Sequence, residues 1–106
     1  MLKIIACDDD VAFLDRLHRM IDRWSTETGT TVDVALVTCG EDLLARHAAL
    51  RADIILLDMI MPLVNGMDTA RELRQADTAV RLVFLTSSPE FALESYEVRA
   101  FDYQLK

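Results

Sequence analysis

Acids, one base and one hydroxyl stand at the ends of strand-like runs in this sequence. Asp8 and Asp9 follow Leu2–Cys7, Asp58 follows Ile54–Leu57, Thr86 ends Arg81–Thr86, and Lys106 ends Ala100–Lys106. If each run is a strand of one parallel sheet, these ends meet at one edge, where open α/β folds place their chemistry. Carboxylates within a few ångströms repel and raise one another's pKa unless a cation joins them. An all-oxygen site of two or three carboxylates, with room for water, suits Mg2+. A metal beside a carboxylate and a lysine is also what phosphoryl transfer requires: both cations neutralise the transferring oxygens while a carboxylate attacks in line. Aspartate is an established phosphoryl nucleophile. Asp58 is the best candidate because it stands alone after the central strand.

The elements that must position these groups follow from the pattern. Ile54-Ile55-Leu56-Leu57 is too short for a helix and does not alternate, which suits a strand buried on both faces. Pro62 and Gly66 then shape a loop before Met67, Ala70 and Leu73 mark one side of a helix. Leu2–Cys7 reads as a first strand, and Thr31–Thr38 as a second. Between them a helix runs from about Asp10, its cap, to Gly29, with Leu14, Leu17, Ile21 and Trp24 as a buried stripe. Gly40-Glu41-Asp42 opens a second helix that buries Leu43, Leu44, Ala48 and Leu50. Ser88 caps, and Pro89 begins, a helix over Pro89–Val98. Strand and helix alternate throughout, which implies a doubly wound α/β domain with a five-stranded parallel sheet.

Size and charge narrow the function. A chain of 106 residues with 52% hydrophobic content, 3 Gly and 2 Pro is one compact domain. Net charge of −7 with no basic cluster excludes direct nucleic-acid binding by this domain. No apolar run reaches membrane-spanning length, and the first residues are too short for a signal peptide, so a cytoplasmic protein is expected. Cys7 and Cys39 lack metal-ligand spacing and read as small buried thiols. His18 and His47 lie on separate helices without evident partners, so neither reads as a ligand.

Asp8-Asp9, Asp58 with Pro62 and Gly66, Thr86, Tyr103 and Lys106, in this order and over the whole chain, resemble a response-regulator receiver domain of two-component signalling. The resemblance implies the flavodoxin-like strand order 2-1-3-4-5. It makes Asp58 the phosphoacceptor, served by a sensor histidine kinase or a small phosphodonor. Asp9, Asp58 and the Ile60 backbone carbonyl would hold Mg2+, with Asp8 acting mostly through water. Lys106 would contact Asp58 and then the phosphoryl group. Thr86 would swing toward the phosphoryl oxygen, and Tyr103 would move inward with it as the switch aromatic. The domain would assist its own phosphotransfer and dephosphorylation without being an enzyme in the usual sense.

The stretch from Ser88 to Lys106 resembles receivers that precede a LytTR-type DNA-binding output domain, which implies transcription control and a homodimer through the helix-four/strand-five face. Receivers continue past this lysine, usually with a proline and a fifth helix; neither is present, so the chain, residues 1–106, reads as a receiver truncated before its last helix.

Two other functions share parts of this pattern. A phosphohydrolase of haloacid-dehalogenase type also uses an aspartyl phosphate, and Asp8-Asp9-Asp10 offers its paired acids. That family has Thr or Val two residues after the second acid, where Ala12 stands here. A receiver-like module that binds without being phosphorylated is the third reading. Singly, Asp58 could be a loop-forming residue, Asp10 only a cap, Thr86 a strand-end hydroxyl and Tyr103 packing. As a set they are better explained by one site.

Overall fold

The computed structural model describes residues 1–59, 66–87, 92 and 94–105. Five parallel strands, β1 (Leu2–Cys7), β2 (Val32–Val37), β3 (Ile54–Leu57), β4 (Arg81–Thr86) and β5 (Asp102–Leu105), form one sheet in the order β2-β1-β3-β4-β5. Among the described residues, three α-helices, α1 (Val11–Thr28), α2 (Gly40–Leu50) and α3 (Gly66–Ala76), and a 3-10 helix, Glu94–Val98, lie between them. The expected alternation and strand order are therefore present. Of the expected helix Pro89–Val98, the described part is Ala92 and the 3-10 helix Glu94–Val98; Ser88 and Pro89 lie outside the described residues.

Side-chain alternation divides the sheet into two faces. Ile5, Cys7, Ala35, Val37, Ile55, Leu57, Leu82 and Phe84 are buried on one face, against Leu43 of α2 and Met67, Ala70 and Leu73 of α3. The other face carries Ala6, Leu56 and Leu85, which line a narrow space with Phe13, Leu14 and Leu17 of α1. Ile54, Leu56, Val83 and Leu85 remain only half-buried there, so β3 and β4 are fully covered on one face and not on both. Among the described helices, α1 alone serves that side.

Four sequence expectations need correction. Trp24 is 44% exposed and does not extend the buried stripe. The 18 residues of α1 reach about 27 Å, whereas the six-residue β1 spans about 20 Å, so the last turns of the helix overhang the sheet. On α2 the buried face runs through Leu43 and His47, while Ala48 is exposed. His47 has partners: Nδ1 accepts from the Ala52 amide at 3.1 Å and Nε2 lies 2.9 Å from an Asp77 carboxylate oxygen. Cys39 is exposed, as the residue that precedes α2, while Cys7 is buried as expected.

Candidate functional site

Strand register brings the acids together. Cys7 pairs with Leu57 across β1 and β3, so Asp8 and Asp58 leave neighbouring strands side by side. Their backbones are held there: Asp58 N–H donates to the Cys7 carbonyl at 3.0 Å, and Asp8 N–H to that of Val37 at 3.1 Å. Asp10 N–H donates to the Asp8 carboxylate at 2.9 Å, which turns that side chain inward. The Asp10 side chain in turn accepts from Phe13 N–H at 3.1 Å and caps α1, as its place before the helix predicted. Asp10 thus orients the site without joining it.

Asp8, Asp9 and Asp58 each offer an oxygen within 4.8 Å of the others'. Asp8 and Asp58 are buried, at 2% and 6% exposure, while Asp9 faces solvent. Two desolvated carboxylates and a third beside them constitute a strongly negative pocket whose natural counterpart is a cation. Its oxygen-only donors suit a hard divalent ion. The pocket also acts on Cys7, whose thiol is pushed up to about 12, first by burial and then by the negative groups around it, Asp8 and Asp58 among them. Cys7 is a neutral filler under the acids and no nucleophile.

The backbone around Asp58 admits little variation. Gly66 N–H donates to the Met59 carbonyl at 2.6 Å and ties the start of α3 to the residue after Asp58. A Cβ on Gly66 would come within 2.2 Å of the Asp58 carbonyl oxygen and 2.8 Å of Met59 Cα. Gly40 at the start of α2 is confined by a side chain instead of backbone, since its Cβ would meet the Thr69 hydroxyl oxygen at 2.3 Å. Thr69, buried on α3, and Gly40 allow the helices beside the site to approach closely.

Thr86 ends β4 and is fully buried. Leu57 pairs with Phe84, so Thr86 reaches the same edge as Asp58, on the adjacent strand. Tyr103 pairs with Phe84 from β5, is half-buried, and packs against it with ring centroids 5.9 Å apart. The fold therefore gathers Asp8, Asp9, Asp58 and Thr86 at the carboxyl edge and places Tyr103 one strand away. Ile60 and Lys106 lie outside the described residues.

Known proteins match along the whole chain. The family model described as "Response regulator receiver domain" matches residues 4–106. The chain belongs to the response-regulator receiver family. It is 32% identical over 106 residues to the sensory transduction protein LytT of Bacillus cereus, covering 100% of this chain and 42% of that protein. It is 30% identical over 105 residues to the positive alginate biosynthesis regulatory protein of Pseudomonas aeruginosa, covering 99% of this chain and 41% of that one. This receiver thus spans less than half the length of these two relatives. Among solved structures, the BeF3-activated DrrB receiver domain superposes with a TM-score of 0.82 at 25% identity, over 100% of this chain and 85% of that one. These likenesses are those of a response-regulator receiver, a signalling domain whose family function is to accept a phosphoryl group.

Proposed function

We propose that this receiver accepts a phosphoryl group on Asp58 from a histidine kinase. The supporting observation is the meeting of Asp8, Asp9 and Asp58 within 4.8 Å at the sheet edge, with Asp58 buried beside the end of β4. Mg2+ is the ion this donor set would hold, through Asp9, Asp58 and the Ile60 backbone carbonyl, with Asp8 acting through water. When bound it supplies positive charge against the phosphoryl oxygens. The Asp58 carboxylate attacks phosphorus in line, the phosphorus–nitrogen bond of a phosphohistidine breaks, and the released imidazole takes up a proton. Lys106 contacts the phosphoryl group. The Thr86 hydroxyl turns toward one of its oxygens, and Tyr103 follows into the space that Thr86 leaves. DrrB's beryllofluoride-activated form, at 25% identity, supports a site of this kind.

The surface that answers includes the exposed Tyr96, within the 3-10 helix, and Phe101, just before β5. It serves a homodimer in the phosphorylated state. The half-covered sheet face at Leu56, Val83 and Leu85 is served by a further helix in a longer chain that also carries a LytTR-type DNA-binding domain and acts in transcription control in the cytoplasm. Among the described residues no helix is long and apolar enough to cross a membrane.

The metal reading is tested by titrating Mg2+ against the apo chain and following amide shifts. Saturable shifts at Asp8, Asp9 and Asp58 are expected, weakened about tenfold or more in Asp9→Asn, as removal of one ligand carboxylate implies. Equal affinity in Asp9→Asn would contradict the assigned ligands.

A further inference from the structure

A second polar construction lies at the opposite edge of the sheet. Arg74, in the last turn of α3, sends its guanidinium into two turns at once. Nε donates to the Val98 carbonyl at 2.6 Å and Nη2 to that of Arg99 at 3.0 Å. Nη1 donates to the Val80 carbonyl at 2.7 Å and to that of Asp77 at 3.3 Å. The first two acceptors lead into β5, the second two into β4. The planar fork of arginine can serve both turns, whereas a lysine offers all its donors from one atom.

Neighbouring contacts reinforce the same junction. Asp77 accepts from Ala79 and Val80 N–H at 2.8 and 3.0 Å, which fixes the turn before β4 from its other side. Arg71, one turn earlier on α3, reaches Glu97 of the 3-10 helix at 3.0 Å. Arg99 sits at φ 51°, in the left-handed region that a non-glycine residue seldom occupies. Its carbonyl is one of those that Arg74 holds. The two strands so pinned are the ones that carry Thr86 and Tyr103.

We propose that Arg74 is a positioning residue of the switch: it anchors the entry ends of β4 and β5 to α3, so that movement begun at Asp58 is confined to their far ends and delivered to the surface around Tyr103. With the anchor removed, the turns would yield and absorb that movement. The proposal rests on the phosphoacceptor reading of Asp58, and on the bonds of Arg74 for everything else.

The test compares the wild type with Arg74→Met and Arg74→Lys, each with and without beryllofluoride and Mg2+, by NMR, and measures adduct formation with acetyl phosphate by intact mass. Amide exchange at Arg99, Ala100 and Phe101 in the unloaded protein should rise about tenfold or more in Arg74→Met. The loading-induced shift of the Tyr103 ring signals should fall by half or more, on the scale of ordinary coupling energies, while adduct formation stays within about twofold of wild type, since distant sites act nearly independently. Arg74→Lys, which keeps the charge but serves one turn, should recover part of the ring response. It also carries the comparison if Arg74→Met fails to fold. Unchanged exchange and an unchanged ring response would overturn the proposal. So would a parallel loss of adduct and ring response, which would reduce Arg74 to maintaining the fold. Failure of the wild type to form an adduct would instead count against Asp58 as acceptor, and the exchange comparison in unloaded protein would still decide whether Arg74 holds the turns.

Discussion

Asp8 and Asp58 reach their places for reasons readable in the residues themselves: each follows four consecutive apolar residues of a strand, and parallel strands deliver their ends to one edge. The inward turn of Asp8 was not readable, since it depends on an amide two residues on, at Asp10. Nor was the difference between the cysteines. Cys7 lies on the covered face of β1, but Cys39 stands where the chain leaves β2 to enter α2, and no pattern of apolar residues specifies its exposure. A maleimide probe in native buffer should therefore modify one thiol quickly, at Cys39. The second should react only on unfolding, because the Cys7 thiol is both buried and pushed up to about 12. Rapid labelling of both would contradict the packing of β1.

Among the elements, the strands were legible to within a residue or two because runs of branched apolar residues have sharp ends. Helix phase was less so. On α2, Leu43-Leu44-Ala48 and Leu43-His47-Leu50 are both plausible apolar faces, and a histidine argues against the second until its partners are known. Those partners come from 30 residues away in the case of Asp77. The Asp77 carboxyl is held below the usual carboxylate range, first by the Ala79 amide and then by His47. A depressed carboxyl contributes stability that is present above its unfolded value, about 3.9, and lost as pH falls through the folded value. Urea unfolding from pH 7 to pH 3 should show Asp77→Asn less stable than wild type at pH 7, by about 0.5–1.5 kcal/mol, with the two curves converging in acid. Parallel curves would show that this carboxyl does not couple to folding.

At the scale of the molecule, the alternation of strand and helix made the architecture legible, and the order β2-β1-β3-β4-β5 agrees with it. The unequal coverage of the two faces needed the structure, because Leu56, Val83 and Leu85 look as apolar as the residues buried opposite them. The node around Arg74 also escaped notice, since its four acceptors are backbone carbonyls and leave no trace in residue type. If a further helix packs across the half-covered face, a longer chain that includes it should resist urea better. Since Leu56, Val83 and Leu85 are already half-buried, the gain should be roughly half of the 1.5–3 kcal/mol that fully burying an exposed side chain of this size gives, for each one covered. Equal midpoints for the two lengths would show that α1 suffices.

Intact mass after incubation with acetyl phosphate, with and without Mg2+, in the wild type and Asp58→Asn bears most directly on the phosphoacceptor. A single phosphoryl adduct that requires Mg2+ and is absent from Asp58→Asn is expected. An adduct that persists in Asp58→Asn would contradict the assignment and move the nucleophile to Asp8 or Asp9, as in a phosphohydrolase; no adduct in the wild type would leave a binding module.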